Sequence, residues 1–221
     1  MANYPQIPSA YTREALNAKS KMYLPGVLPM VFYNQYKAGT ALASSTTATS
    51  IFTGATALGS LVLPGKFFQE SLTLPEQELG TVTAAAGGII VIHAEGTMGT
   101  TSTPNLTITA GLKDAGTYTA YTTSGAIATV ATTSPGDWTL DVMLQCQILG
   151  AASTASIYGG GKFHYFAGAD VTSTFITLAH TVTTATFVPN DTLTVDAQFT
   201  WGTSSASNTI TTQAAYVAML W

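Results

Sequence analysis

Charge is what this chain most conspicuously lacks. Asp, Glu, Lys and Arg make up 8% of its 221 residues, against about 25% in an ordinary soluble domain. Formal net charge is −4, and no basic stripe interleaved with aromatics runs along the chain, so nucleic acid is not an expected partner. Cysteine is almost absent too. The single Cys146 excludes an intrachain disulfide framework and any cysteine-rich metal site. No run approaches the roughly 18 uninterrupted apolar residues of a spanning helix; the best, Gly87 to His93, is a strand's length. A membrane is therefore not an expected partner either. The opening MANYPQIPSAY has neither the basic nor the apolar region of a secretory signal, so synthesis in a cytoplasm is expected.

What charge there is sits unevenly. Of seven basic residues, four (Arg13, Lys19, Lys21 and Lys37) lie in the first 37 positions. The rest is rich in Thr, Ala, Gly and Ser, and apolar residues reach 46%, enough for a core. The chain therefore reads as residues 1–50, an N-terminal arm and linker, and residues 51–221, one large domain.

The arm contains Pro5, Pro8, Pro25 and Pro29, each fixing φ and pushing its predecessor toward extended geometry. Between them Ser9 to Met22 predicts one short helix, with Ser9 or Thr12 as N-cap, Glu14 in the first turn and Lys19 and Lys21 at the end. The following MYLPGVLPMVFYNQY fits an extended hook. Ordering about 40 backbones costs more than these side chains return by burial, so the arm needs another surface. Aromatic and aliphatic anchors with basic neighbours are the residue types of interfaces. Tyr4, Ile7, Tyr11, Arg13, Lys19, Lys21, Tyr23, Leu24, Phe32, Tyr33 and Tyr36 are accordingly the candidate contact residues. Residues 39–50 (GTALASSTTATS) read as a linker or surface loop.

Beyond the arm, period-2 alternation dominates. Trp138, Leu140, Val142, Leu144, Cys146 and Ile148 point one way, and Thr139, Asp141, Met143, Gln145 and Gln147 the other. Leu193, Val195, Ala197, Phe199 and Trp201 repeat the pattern against Thr194, Asp196, Gln198 and Thr200. Further strands are expected near 88–97, 105–112, 117–122, 126–131, 155–166, 173–187 and 210–221, with short pieces near 60–63 and 81–84. Eight to ten strands with frequent turns predict an all-β fold, an antiparallel β-sandwich or barrel. Its threonine-rich outer surface would lack charged edge protection, which an oligomer could supply by covering the edges.

Candidate chemistry is thin. His93 and Glu95 share a strand face in an H-x-E pair, but the cysteines that accompany this pair in zinc deaminases are missing. His164 and His180 share no ligand spacing with His93. Gly159-Gly160-Gly161-Lys162 lacks the first glycine and the Ser or Thr of a phosphate loop, leaving a bulge or turn. Glu76 with Glu78, and Asp137 with Asp141, lie on turns and strands. Their spacing leaves a glycoside-hydrolase carboxylate pair open, but with acids this scattered a hydrolase is the least favoured reading. Asn105 and Asn190 open glycosylation-type triplets that carry no meaning without secretion. Cys146 is expected in the core. No cofactor, metal or catalytic function is expected.

Four segments, IFTGATALGSLVLPGKF, IVIHAEGTMGTTSTPNLTITAGL, GDWTLDVMLQCQILGA and WGTSSASNTITT, resemble virion structural proteins of tailed double-stranded DNA bacteriophages. The resemblance spans roughly residues 51–215 and does not include the arm. It implies a jelly-roll or related β-sandwich serving as a capsid decoration (cement) protein, a head fibre or a tail component. The expectation is a non-enzymatic decoration protein on the outer capsid surface of the virion. It would be a homotrimer that grips the major capsid protein or a neighbouring subunit through the arm, with Arg13, Lys19 and Lys21 meeting an acidic surface. The alternative is a receptor- or glycan-binding head-fibre or tail component, using Tyr118, Tyr121, Tyr158 and Tyr165 as sugar platforms.

Overall fold

A computed structural model describes residues 30–53, 57–63, 88–101, 103–131, 135–148, 155–166, 173–185 and 192–220. Two antiparallel sheets pack face to face as a sandwich, and every regular element among the described residues is a strand. In chain order the strands are β1 (Met30–Gln35), β2 (Leu42–Ala43), β3 (Thr49–Ser50), β4 (Ala57–Gly59), β5 (Ile89–Gly99) and β6 (Asn105–Asp114). They continue as β7 (Thr117–Ala128), β8 (Gly136–Ile148), β9 (Ala155–Phe166), β10 (Ser173–Ala185), β11 (Leu193–Trp201) and β12 (Thr209–Leu220). The large sheet runs β10-β9-β8-β5-β12-β1-β4, with β2 also on β12; the small sheet runs β3-β11-β6-β7.

The alternation read from the sequence is what builds the core. Trp138, Leu140, Val142, Leu144 and Cys146 of β8 are buried, as are Leu193, Val195, Ala197, Phe199 and Trp201 of β11. Because successive side chains on a strand point to opposite faces, each set fills one inner face. The two inner faces meet around Trp138, whose ring lies edge-on to Phe199 at 5.3 Å and beside Phe163 at 6.0 Å. Trp138 Nε1 donates to the Thr97 carbonyl at 3.1 Å, which satisfies the one polar atom that this ring buries.

Connectivity is nested. β5 pairs with β12, β6 with β11 and β8 with β9, while β7 lies against β10, where the Thr122 hydroxyl donates to the Ala179 carbonyl at 2.7 Å. Such nesting belongs to jelly rolls, but here β7 and β10 sit in different sheets. That junction also explains the glycine run. A Cβ on Gly159 would strike the Tyr121 backbone carbonyl, and one on Gly160 would come within 3.0 Å of the His180 ring. The run is therefore a close-approach surface inside β9. The β10 ladder slips opposite it, between Leu178 and Thr181, so the bulge read from the sequence falls on the partner strand while no turn forms.

Several expectations shift. Residues 30–50, assigned from sequence to arm and linker, contribute three strands. β1 is an interior strand between β12 and β4, and Tyr33 and Gln35 are buried. Gln35 Nε2 donates to the Lys37 and Thr212 carbonyls at 3.2 Å each, so a polar residue is accommodated by satisfying it. The segments 117–122 and 126–131 are one strand, β7. Its ladder to β6 slips twice, and at the slip the Ser124 hydroxyl replaces a backbone partner by accepting from the Ile108 N–H at 2.9 Å. The β6–β7 turn is Ala115-Gly116, both at positive φ (45° and 89°), the tight hairpin geometry that matches strand twist. Near 60–63 only an isolated bridge forms, Val62 to Thr194. The helix expected over Ser9–Met22 and the strand near 81–84 lie outside the described residues.

Edge protection also comes from within the chain. The sheets end in the three-residue β4 and the two-residue β3, while the long edges β7 and β10 face each other. Short or covered edges do not template further pairing. Among the described residues the edges therefore do not themselves call for an oligomer.

Candidate functional site

Two polar constellations occur among the described residues, one on the outer face of each sheet. On the small sheet, Lys113 and Asp196 are diagonal neighbours across the β6–β11 ladder. Lys113 Nζ lies 2.6 Å from Asp196 Oδ2, with side-chain exposures of 35% and 2%. The Ser50 hydroxyl donates to Asp196 Oδ1 at 2.5 Å and Gln198 Nε2 to Oδ2 at 2.9 Å. Asp196 and Gln198 point outward as the alternation predicts, yet both are buried. Tyr118, opposite Lys113 on β7, is half-buried and donates to Thr109 Oγ1 at 3.1 Å. With every carboxylate oxygen occupied by donors of the chain itself, this cluster is built to hold strands together.

Burial raises the pKa of three phenols, Tyr33, Tyr118 and Tyr121. It pushes Tyr121 up to about 12, with the charges of Asp114 and Cys146 adding to the effect. It pushes Tyr118 further up, the nearby Asp196 charge adding and the Thr109 hydrogen bond opposing. A phenol with a raised folded pKa costs nothing below its unfolded value near 10 and destabilises as pH rises from there toward the folded value. Stability should accordingly fall above pH 10, by about 1.4 kcal/mol per pH unit for each phenol. Denaturant midpoints between pH 9 and 11.5, followed with tyrosinate absorbance, check this; an unchanged alkaline loss in a Tyr118→Phe/Tyr121→Phe variant would refute it.

The outer face of the large sheet is different in kind. One level of it reads Tyr216, His93, Asp141, Lys162 and Thr177 across β12, β5, β8, β9 and β10. The next level contains Glu95, Thr139, His164 and Phe175. His93 Nδ1 lies 2.7 Å from Asp141 Oδ1 and stacks on Tyr216 at 5.1 Å. His164 stacks on Phe175 at 4.0 Å with Phe166 edge-on at 4.5 Å, and its Nε2 is buried with no hydrogen-bond partner. His180 Nδ1 lies 2.5 Å from the Tyr158 hydroxyl. All three histidines of the chain thus share one face, each against an aromatic ring. Of ten large hydrophobics left exposed among the described residues, six (Val31, Leu58, Met143, Phe166, Phe175 and Tyr216) lie there, Phe175 at 71% exposure. A face with this many exposed rings suits contact better than catalysis.

Sequence-derived candidates scatter. Tyr4, Ile7, Tyr11, Arg13, Lys19, Lys21, Tyr23 and Leu24 lie outside the described residues, as do Glu76 and Glu78. Phe32 packs partly buried against the core, Tyr33 is buried within it, and Tyr36 is exposed just after β1. Tyr33 therefore anchors the fold, and its position in β1 removes it from any external contact. Two of the four supposed sugar platforms are corrected likewise, since Tyr121 and Tyr165 are buried, Tyr165 because it falls on the inward set opposite Trp138. His93 and Glu95 do share a face. Asp137 and Asp141 both point outward from β8, four residues and about 13 Å apart along the strand, too far for a hydrolytic pair. Among the described residues no group of three His, Cys, Asp or Glu is placed to hold a metal, and no helix is long and apolar enough to cross a membrane. Phe175, Phe166 and Tyr216 were missed as surface residues, whereas Met143 lies outward as the alternation of β8 predicts. In STFITL, Phe175 and Ile176 are both apolar, so alternation alone does not say which faces out.

No protein-family model matches the chain, and no curated protein matches it in sequence.

Proposed function

We propose that this chain is a non-enzymatic structural protein of a tailed-phage virion, a decoration protein that binds the outer capsid surface through residues 1–29 and stabilises the shell. One observation carries the reading: the basic, aromatic N-terminal segment runs directly into β1, a strand hydrogen-bonded on both sides inside the large sheet. A pull on that segment is borne in shear by two ladders and by buried Tyr33, so an arm that grips a shell is rooted where the sandwich resists load. The nearly uncharged exterior agrees with a role in contact. The sequence resemblance to phage virion proteins supplies the capsid as the partner, and a trimer remains part of this proposal. With its edges covered, such a trimer would have to form through sheet faces or loops.

The test is reconstitution on capsids stripped of decoration, using the full chain and an Arg13→Glu/Lys19→Glu/Lys21→Glu variant. The expected result is hundreds of copies per particle for the native chain and at least tenfold weaker binding for the variant. Equal binding removes the arm from the grip, and saturation at tens of copies or fewer points to a fibre or tail part.

A further inference from the structure

We infer that the outer face of the large sheet is the docking site of this chain's own residues 1–29. The inference does not depend on where the protein sits in a virion.

The first argument is charge. Among the described residues the exposed face carries Glu95, Asp137 and Asp141, the last paired with His93, against Lys162. Residues 1–29 carry Arg13, Lys19 and Lys21 against Glu14 alone. The two surfaces are opposite in sign within a molecule otherwise poor in charge. At close range such complementarity sets register and partner choice.

The second argument is where the segment begins and how far it reaches. It leaves the sandwich at Met30, which pairs with Met219 of β12 at the border of this face. From β1 to β10 the face is five strand intervals wide, about 24 Å. Extended chain crosses that in about eight residues, and helix in about sixteen; 29 residues suffice for either. Pro25-Gly26, four residues before β1, is the dipeptide of a tight turn, which would reverse the chain onto the face it has just left. A segment tethered this closely meets its own face at high effective concentration.

The third argument is apolar matching. Val31, Met143, Phe166, Phe175 and Tyr216 stay exposed on the face, and residues 1–29 supply Ile7, Tyr11, Tyr23 and Leu24 as anchors. Docking buries both sets, and it offers Lys19 and Lys21 the carboxylates of β5 and β8. Gripping a capsid and lying on this face are then competing states of one segment.

Limited trypsin digestion of the full chain tests this, because cleavage follows Arg13, Lys19 and Lys21. The comparison is a Glu95→Gln/Asp137→Asn/Asp141→Asn variant and, separately, Phe175→Ser, all at exposed positions, with circular dichroism reporting an intact sheet. Cleavage after Lys19 and Lys21 should be at least tenfold faster in each variant than in the native chain. Carbodiimide coupling should join Lys19 or Lys21 to Glu95 or Asp141 within the mass of one chain. Equal cleavage rates overturn the inference, and coupling found only at the mass of two chains overturns it in favour of a neighbouring copy. Capsid binding measured in parallel keeps the two readings apart. A native segment that is freely cleaved yet still saturates capsids refutes the docking and leaves the proposed function standing.

Discussion

Replacing Lys113 with methionine should lower the stability of the fold by about 3–5 kcal/mol, a large share of what a domain has. The reason is asymmetry of burial. Asp196 is 2% exposed and Lys113 35%, so removing the ammonium strands a carboxylate that cannot reach water. Ser50 and Gln198 still donate to it but carry no charge. The reverse change, Asp196→Asn, leaves a lysine whose head can turn to solvent, and its amide keeps an acceptor for Ser50; about 1–2 kcal/mol is expected. The double variant should recover most of the Lys113→Met loss, because no unpaired charge remains. Chemical denaturation of the three variants at neutral pH measures this. If Asp196→Asn costs as much as Lys113→Met, burial of the carboxylate is not the controlling term.

That cluster also shows where sequence reading stops. The outward direction of Asp196 was legible from alternation in NDTLTVDAQFTW, but its burial was not. Burial depends on Lys113 arriving from β6 and Ser50 from β3, 83 and 146 positions away, and no local pattern reports such a register. For the same reason β1 was read as part of an arm. MVFYNQ has no clean alternation because Phe32 sits at a bulge between Val31 and Tyr33. β8, with one dry face, was visible in full, since half-burial writes itself into every second residue. β11 kept the same apolar-polar alternation although Asp196 and Gln198 are buried on its outer side. The exposed aromatics of the large sheet could not be seen that way, because a phenylalanine is assigned inward by default.

The sandwich architecture itself rests on contacts between sheets, and Trp138 is where they are densest in rings. Trp138→Ala should cost about 3–5 kcal/mol, by lost transfer energy and the cavity left between Phe163 and Phe199. Trp138→Phe is expected to cost about 2 kcal/mol, because it removes the bond to the Thr97 carbonyl as well as volume. Trp201 provides the control. It is equally buried, on the other sheet, but its Nε1 has no hydrogen-bond partner. A buried orphan donor already costs the native state about 1–3 kcal/mol, so Trp201→Phe gives up volume and sheds that penalty together. Its net cost should be under about 1 kcal/mol, and denaturant midpoints for the four proteins would resolve the difference. Equal losses for the two phenylalanine variants would mean that volume alone sets the cost at both sites. The larger effect at Trp138 also reaches the outer face. Trp138 opens β8, whose alternate residues Asp141 and Met143 form the middle of that face, so loosening the core ring should disorder the surface that the arm is inferred to use.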